Sequence, residues 1–520
     1  MNSDAYFNQS PWWNTPTAKA VYSGLLLAAS FPPLPLGFLA YLGIIPFLFA
    51  LKQTRGKHGF RLGYIAGLFY AGGAAYWIGA NTGTYLWAAV LSAVLAVAAI
   101  AVNYGLFGLA MGFIYKKGIP GGFWWAIPLW VASEFFRSFG VLVFPWLSIS
   151  LSQAAYLPVT QIASITGMYG ISAWVAALNV VIYYYLSSRQ QQTPSLRWIL
   201  IGAVVYLIPV IYGVVTLQLL PGPNENTRAM RVSVIQPNVD PTEKNSRNSR
   251  EVHFQNLLNL SERALLQQPE VIVWPETATP PFIRYNMNGY RTRVQAWVDS
   301  VNIPILTGTV DWEPATSDSG DGEGTYYNSA IVFEPQKGSN QVYRKMNLVP
   351  FAEHIPFPGI FGFFSKLELN QGNYVPGEKF TVFEYANSTK APMSVAICYD
   401  SSFPRTLREF RRRGAEWMAI ITNDAWFGNT SGPYQHAQWA KIRAIENRVS
   451  IARSANTGIS MIIDPWGRVD ERLPLNSRGT ITNQVFYNLT PPFYVRHGDI
   501  FIWILSSIGV LGLVWSLFRK

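Results

Sequence analysis

The stretch "MSVAICYD" (residues 393–400) has the pattern that decides the fold of this part of the chain. A short apolar run that gives way to polar residues is typical of a buried β-strand that ends in a loop. Cys398, the only cysteine in 520 residues, stands at that end. It cannot form an internal disulfide, so it is either an inert buried thiol or a reactive one.

Five more apolar runs of this kind lie on either side of it. They are "RVSVIQPNV" (231–239), "VIVWPE" (271–276), "IPILTGTV" (303–310), "SAIVFEP" (329–335) and "WMAIITND" (417–424). Residues 250–268 and 402–415 have the apolar spacing of helices, and the polar, glycine-rich segment 311–329 predicts a hairpin or a loop. Strands and helices in alternation predict a layered α/β domain from about 228 to 490.

The rest of the chain is apolar enough to need a lipid environment. Half of all residues are hydrophobic and only 13% are charged, about half the charged fraction of a soluble protein. A bilayer-spanning helix needs roughly 17–25 mostly apolar residues. We therefore predict about eight transmembrane helices, at 17–31, 36–51, 60–80, 85–114, 122–140, 161–187, 197–219 and 499–517. The first seven form a bundle in 1–220, and the eighth follows the α/β domain.

The loops predict the orientation of these helices. Lys and Arg residues follow the second, fourth, sixth and eighth helices, whereas the loops 79–86 and 141–153 carry none. Because cationic loops stay in the cytoplasm, we expect both termini there and the α/β domain on the periplasmic side of a bacterial inner membrane. One miscounted helix would reverse the side of that domain. The net charge of +11 suits anionic lipid or nucleic acid, and the apolar composition favours lipid, so no nucleic-acid partner is expected.

Two charges, Glu134 and Arg137, fall near the outer end of the fifth predicted helix. Their i, i+3 spacing places them on one helix face, where they could form an ion pair. Charges inside a membrane are often functional. The alternative is therefore a contact with a lipid headgroup or with the α/β domain, which makes both residues candidates for substrate binding.

Three segments of the α/β domain carry chemical groups suited to acyl transfer. Glu276 follows one apolar strand, Lys345 and Glu353 lie in a loop interrupted by prolines, and Cys398 ends a third segment. A thiolate can attack an acyl carbon, a carboxylate can take up and return its proton, and an ammonium can stabilise the oxyanion. Taken singly, each residue has an ordinary structural or solvated alternative.

The motifs around these residues resemble the carbon–nitrogen hydrolase (nitrilase) superfamily. "WPET" (274–277), "KMNLVPFAEHIPF" (345–357), "ICYD" (397–400) and the long segment 422–460 occur in the order of that family. The resemblance implies that the α/β domain is an α-β-β-α sandwich.

The resemblance also implies roles for individual residues. Cys398 matches the nucleophile, Glu276 the general base and Lys345 the oxyanion partner. Glu353 matches a second carboxylate that orients the lysine or assists proton transfer.

Other positions match the family less closely. Tyr399 and Asp400 match supporting positions after the nucleophile, where the family more often has Tyr-Glu. Asp400 therefore keeps the negative charge of that glutamate on a shorter side chain. Trp426 matches an aromatic residue near the pocket. The family's tryptophan on an early loop has no counterpart in "QPNVDPTEKN" (236–245). His436 is expected to make either a structural hydrogen bond or a substrate contact.

Together with the eight predicted helices, the resemblance narrows to the membrane branch of this superfamily, the apolipoprotein N-acyltransferases. "FPWLSISLSQ" (144–153) is also similar to that branch. The resemblance implies that an sn-1 acyl chain passes from a phospholipid, typically phosphatidylethanolamine, through a Cys398 thioester. The acceptor is the α-amine of the N-terminal S-diacylglyceryl-cysteine of a lipoprotein.

Two other functions remain open from the residues alone. One is a membrane-tethered amidase that uses water as the acceptor. The other is a transporter or binding module with an inert α/β domain, although the repeats and mid-membrane charges expected of a transporter are not evident. The resemblance implies no cofactor, and the five histidines lack the spacing of metal ligands, so no metal site is expected.

Overall fold

The computed structural model describes residues 11–518 apart from 55, 141–142, 194, 220–226, 241–246, 286–288, 315–323, 339–340, 356, 358, 360–372 and 386–389. The chain divides into two compact units. The first comprises Met1–Gly79, Val90–Leu220 and Asp499–Lys520, and the second comprises Ala80–Ala89 and Pro221–Gly498. Arg55, Arg519 and Lys520, which contribute to the predicted orientation, lie outside the described residues.

Apolar helices build the first unit. They are α1 (Pro16–Ala29), α2 (Ala40–Gly43), α3 (Ile45–Gln53), α4 (His58–Ala74), most of α5 (Leu86–Lys116), α6 (Ala126–Phe136), α7 (Leu157–Thr160), α8 (Ala163–Thr166), α9 (Met168–Gln190), α10 (Leu196–Leu219) and α16 (Ile500–Phe518). Among the described residues, α5, α9, α10 and α16 are long and apolar enough to cross a membrane. These four helices match the predicted spans at 85–114, 161–187, 197–219 and 499–517.

The other four predicted spans coincide with shorter helices. The helices α1, α3, α4 and α6 have 14, 9, 17 and 11 residues, so the count of eight spans stays a prediction. The predicted span at 161–187 is interrupted because Gly167, with φ +66°, separates α8 from α9. Glycine adopts this left-handed conformation without the steric cost that other residues have.

Glu134 and Arg137 of α6 do not form the ion pair that was one of the two alternatives for them. Glu134 is 1% exposed and accepts hydrogen bonds at 2.6–3.0 Å from Trp130 Nε1, Ile149 N, Ser148 Oγ and Ser172 Oγ. Arg137 donates at 2.7–3.1 Å to Phe144 O, Leu147 O and Tyr104 Oη. That alternative is not observed, because backbone and side-chain partners satisfy each charge separately. A substrate contact by either residue stays a prediction.

The strands of the second unit form two sheets. Within the described ranges they are β1 (Arg228–Gln236), β2 (Val271–Val273), β3 (Ile305–Glu313), β4 (Thr325–Phe333), β5 (Val342–Arg344), β6 (Met393–Ile397), β7 (Trp417–Thr422), β8 (Ile451–Ala455), β9 (Ser460–Ile463), β10 (Arg472–Leu473) and β11 (Gly479–Tyr487). One sheet has the order β11-β1-β2-β3-β4-β5 and the other β10-β9-β8-β7-β6. The neighbours β1-β2-β3 and β6-β7-β8 are parallel.

All six strands predicted from apolar runs are present. The predicted hairpin is also present, since β3 and β4 pair antiparallel from Ile305 opposite Phe333 to Glu313 opposite Thr325. Its tip, 315–323, lies outside the described residues.

Helices complete the layers of this unit. They are α11 (Arg247–Leu265), α12 (Tyr290–Val301), α13 (Pro404–Arg412), α14 (Gly432–Asn447) and α15 (Phe493–His497). One buried apolar cluster joins Val234 and Val273 of the first sheet to Val395 and Ile420 of the second, and includes Phe410 of α13. A second cluster packs α11 and α12 against the first sheet. This is the predicted α-β-β-α sandwich.

Candidate active site

The predicted carboxylate, ammonium and thiol lie at strand ends of the two sheets. Glu276 follows β2 by three residues, whereas Lys345 and Cys398 directly follow β5 and β6. Glu353 lies in the loop after Lys345. These four residues are only 6%, 1%, 8% and 6% exposed, in the order named. Since a buried charge is stable only when it is paired and hydrogen-bonded, their partners decide what they can do.

Lys345 is shared by two carboxylates. Its Nζ lies 2.8 Å from Oε1 of Glu353 and 3.7 Å from Oε1 of Glu276. Asn328, on β4, donates from Nδ2 to the same two oxygens, at 2.8 Å to Glu276 and 3.1 Å to Glu353. One ammonium and one amide therefore hold the two carboxylates close together despite their like charge.

Backbone groups fix the other oxygen of each carboxylate. The N–H of Asn423, just after β7, donates to Oε2 of Glu276 at 2.8 Å. The N–H of Val349 donates to Oε2 of Glu353 at 2.8 Å. The orientation of both side chains is therefore set by the strand ends and loops that carry them.

The electrostatics of this cluster separate the roles of its members. Burial raises the pKa of Glu276, and the positive charge of Lys345 opposes that rise. Burial alone would lower the pKa of Lys345, but Glu353, Cys398 and Glu276 raise it well above its ordinary value. The lysine is thus an ammonium, and Glu276 is a stronger base than an exposed glutamate.

Cys398 is held as a neutral thiol at rest. Burial raises the pKa of Cys398 well above the ordinary value and the charge of Glu276 raises it further, while Lys345 and a hydrogen bond with Thr422 oppose the rise. The residue has φ +49° and begins a short 3₁₀ turn, Cys398–Ser402. A non-glycine residue in this region is strained, and such strain clusters at active sites.

Asp400 holds the turn after Cys398 against the segment that carries Lys345. It is fully buried and accepts hydrogen bonds from the side chain and backbone of Asn347, from Tyr343 Oη at 2.8 Å and from Ile397 N at 3.2 Å. Burial raises its pKa, and Lys345 and Asn347 oppose the rise. The shorter aspartate therefore has a complete set of partners.

Tyr399 packs inside the domain next to Cys398, whereas Trp426 lines a cavity. Tyr399 is buried, and its ring packs edge-on against Phe403 at 5.1 Å between centroids. Trp426 lines a cavity of about 220 Å³ together with Glu276 and Glu353. The early loop expected to lack the family's tryptophan falls partly in 241–246, outside the described residues.

Several neighbours of the site could not be identified from the sequence. Asn328 lies inside a strand, and the segment Ala80–Ala89 is far from the site in sequence yet belongs to this unit. Gly83 of that segment lines the cavity, and Thr82 N donates to Trp426 O at 3.1 Å. A lone asparagine in a strand and a polar loop carry no recognisable sequence signal.

His436 makes the structural hydrogen bonds that were one of its two expected roles. Its Nδ1 lies 2.8 Å from Oδ1 of Asp424, and its Nε2 lies 2.8 Å from Ser401 Oγ and 3.2 Å from the carbonyl oxygen of Cys398. Both His436 and Asp424 are fully buried.

Comparison with known proteins assigns the chain to a family. Residues 231–490 match the carbon–nitrogen hydrolase family, and residues 23–181 match the apolipoprotein N-acyltransferase N-terminal domain. The apolipoprotein N-acyltransferase of Geobacter metallireducens is 32% identical over 96% of this chain and 95% of its own length. The chain belongs to the apolipoprotein N-acyltransferase family. The N-acyltransferase of Chlorobaculum tepidum is 30% identical over 96% of each chain.

The solved structures that the chain resembles cover about half of it. Nit3 of Saccharomyces cerevisiae, a member of the nitrilase superfamily, is 20% identical, covers 50% of this chain and 90% of its own, and has a TM-score of 0.37. Family membership itself rests on the near full-length match to other apolipoprotein N-acyltransferases.

Proposed function

We propose that this chain is an apolipoprotein N-acyltransferase that moves an acyl chain from a phospholipid to a lipoprotein through a thioester on Cys398. The buried cluster of Glu276, Lys345 and Glu353, in which Glu276 and Lys345 lie near enough to Cys398 to shift its pKa, carries this proposal. It supplies a base, an oxyanion partner and a nucleophile in a buried site. The names of the relatives supply the acceptor class, an apolipoprotein.

The first half-reaction forms the thioester. Glu276 accepts the Sγ proton of Cys398, and the sulfur attacks the sn-1 ester carbonyl of a phospholipid such as phosphatidylethanolamine. The ammonium of Lys345 donates to the oxyanion of the tetrahedral intermediate. The ester C–O bond then breaks, Glu276 returns the proton to the departing oxygen, and a lysophospholipid leaves.

The second half-reaction uses the same groups. The α-amine of an N-terminal S-diacylglyceryl-cysteine attacks the thioester carbonyl, and Glu276 accepts the amine proton. The C–S bond then breaks, and Glu276 returns that proton to Sγ, which regenerates the Cys398 thiol. This is a ping-pong sequence with one covalent intermediate. Glu353 keeps the lysine oriented, while Tyr399 and Asp400 support the nucleophile turn.

The lining of the cavity suits an amphiphile with an anionic group. Arg250, His253 and Leu257 line it from α11, at spacings of three and four residues on one helix face. The helix therefore presents a cation about 10 Å from an aliphatic side chain, given a rise of about 1.5 Å per residue. A phosphate beside Arg250 and apolar chain atoms beside Leu257 match a phospholipid better than a soluble amide.

The proposal includes the topology of the chain in the membrane. Residues 1–220 form the seven-helix membrane part, 228–490 the catalytic domain and 499–517 the eighth helix. The catalytic domain is periplasmic, and both termini lie in the cytoplasm of a bacterium. Glu134 and Arg137 are left as candidate contacts for lipid headgroups, and Trp426 as a contact for the acyl chain.

Labelled phospholipid tests the function directly. We expect the purified full-length chain in detergent to acquire an acyl label on Cys398 and to lose it to a diacylglyceryl-cysteine peptide. The Cys398→Ser variant should acquire no label, since an alcohol needs stronger activation than a thiol. Turnover of that variant at the wild-type rate would exclude the thioester. Release of the label only to water would identify a lipid-consuming hydrolase, and labelling by a soluble amide alone would identify an amidase.

A further inference from the structure

Tyr374 is a residue of the catalytic domain that the proposed mechanism does not use. It lies outside the motifs around Glu276, Lys345 and Cys398. In the structure it lines the cavity of about 220 Å³ together with Glu276 and Glu353. A substrate that reaches the two carboxylates through this cavity therefore also meets Tyr374.

Backbone hydrogen bonds fix Tyr374 against the segments that carry the buried cluster. The N–H of Tyr374 donates to the carbonyl oxygen of Glu353 at 2.9 Å. Three residues later, the N–H of Gly377 donates to the carbonyl oxygen of Lys345 at 2.8 Å. The residues that supply the ammonium and the second carboxylate therefore also set the position of this tyrosine.

The hydroxyl group of Tyr374 is a neutral donor close to the charged cluster. Its pKa is raised to about 12 by burial and by the charges of Glu353 and Glu276, while Lys345 opposes the rise. Because a charge shifts a pKa in this way only from nearby, the phenol oxygen lies near all three charged groups. No hydrogen bond joins the hydroxyl to another residue that the structure describes. A phenol that stays protonated at neutral pH can donate its O–H to a substrate atom.

The first half-reaction needs a donor at this place. When the sn-1 ester bond breaks, the glycerol oxygen departs with negative charge and is a poor leaving group until it is protonated. Glu276 returns the thiol proton to that oxygen, so the oxygen must lie within hydrogen-bond reach of Glu276. Lys345 serves the other oxygen of the ester, which becomes the oxyanion. A neutral donor beside Glu276 can therefore stabilise the departing oxygen while its negative charge develops.

We propose that Tyr374 is a further catalytic residue, whose phenol donates a hydrogen bond to the departing glycerol oxygen of the phospholipid. The C–O bond breaks, the acyl carbon stays bonded to Sγ of Cys398, and the departing oxygen takes the proton held by Glu276. The phenol keeps its own proton throughout. This inference rests on the proposed function of Cys398 and adds the group that helps the first product to leave.

Two esters separate assistance to the leaving group from a general disturbance of the site. Phosphatidylethanolamine releases a glycerol oxygen, whereas the para-nitrophenyl ester of the same fatty acid releases a stabilised phenolate that needs no donor. In the full-length chain in detergent, we expect Tyr374→Phe to slow acylation of Cys398 by labelled phosphatidylethanolamine about tenfold or more. Acylation by the para-nitrophenyl ester should change less than about threefold.

Tyr326 provides a matched control. It pairs with Tyr374 in an isolated β-bridge, but it is exposed and is not among the residues that line the cavity. Tyr326→Phe should stay within about twofold of the wild-type rate with both esters.

The outcomes distinguish the inference from the proposed function. Equal losses of Tyr374→Phe with both esters, equal losses in the two tyrosine variants, or a wild-type rate of Tyr374→Phe with phosphatidylethanolamine would overturn the inference and leave the proposed function standing. A wild-type chain that is acylated by the para-nitrophenyl ester but never by the phospholipid would overturn the proposed function itself, and the inference with it.

Discussion

The carboxylate of Asp400 accepts two hydrogen bonds from Asn347, one from its backbone N–H and one from its side-chain amide, each at 2.8 Å. Asn347 lies two residues after Lys345, and Asp400 lies two residues after Cys398. The contact therefore joins the segments that carry the ammonium and the thiol, which come from different sheets of the sandwich.

Replacement of Asp400 should loosen that connection. In Asp400→Asn, an NH₂ group faces N–H donors that the wild-type carboxylate accepts. We therefore expect the free energy of unfolding to fall by about 2 kcal/mol and acylation to slow. Asp400→Glu adds a methylene to a fully buried position and should also destabilise the chain. Thermal unfolding of the full-length chain in detergent and the acylation rate check both. Asp470→Asn, at an exposed position, is the control, and equal effects at the two sites would contradict the expectation.

The acylation rate should report the pKa of Glu276. Because burial raises that pKa, and because only the ionised carboxylate accepts a proton, the rate should fall as the pH drops through a value above the ordinary glutamate pKa of about 4.3. Single-turnover acylation of Cys398 measured between pH 4 and pH 8 gives this profile. Glu262→Gln, on the exposed side of α11, should leave it unchanged. If the acylation rate falls only at or below the ordinary glutamate pKa, Glu276 is not a general base with a raised pKa.

The charge of Lys345 can be removed without changing the net charge of the cluster. Lys345→Met alone leaves two buried carboxylates without their cation, which should cost about 3–5 kcal/mol. The double variant Lys345→Met/Glu353→Gln removes one charge of each sign. It should fold with a stability closer to wild type and still lose about 10²–10³-fold in acylation rate. A double variant that acylates within a few fold of wild type would remove the lysine from the mechanism.

Arg250 offers a test of the phospholipid donor. We expect Arg250→Gln to slow acylation about tenfold or more with phosphatidylethanolamine, because a charge-assisted contact to phosphate is lost. With diacylglycerol, which has no phosphate, the variant and the wild type should react alike. Arg263→Gln removes the same charge from an exposed position of the same helix. Equal losses with both donors would argue against a phosphate contact at Arg250.

Orientation can be tested in a background without cysteine, since Cys398→Ser removes the only one in the chain. Ser300→Cys, exposed in α12, should react with a membrane-impermeant maleimide added to spheroplasts. Gln190→Cys, exposed at the end of α9, should react only after permeabilisation. The reverse pattern would place the catalytic domain in the cytoplasm.

Prediction from sequence was most successful where one signal dominates. Apolar runs bounded by turn residues identified six strands, and the motifs around Glu276, Lys345 and Cys398 identified side chains that the fold brings together. Strands such as β8, "IARSA", were missed because buried polar residues conceal the apolar pattern. The contacts of Asn328 and His436 depend on tertiary structure, which no local pattern encodes.

In the membrane part, sequence patterns were less successful at predicting side-chain contacts. Spacing on one helix face allowed a pair between Glu134 and Arg137, but each residue instead has partners on the segment 144–149 and on another helix. A rule based on neighbours within a helix cannot weigh partners that approach from outside it.

The first and last strands of the catalytic domain are neighbours, with Arg228 opposite Tyr487 in the antiparallel pair of β1 and β11. The point at which the chain enters the sandwich therefore lies beside the point at which it leaves. A domain with adjacent ends can be inserted into another protein at a single loop, at little cost to either. The long insertion between α10 and α16 can therefore fold on its own sheet pairing without separating the two helices that flank it in sequence.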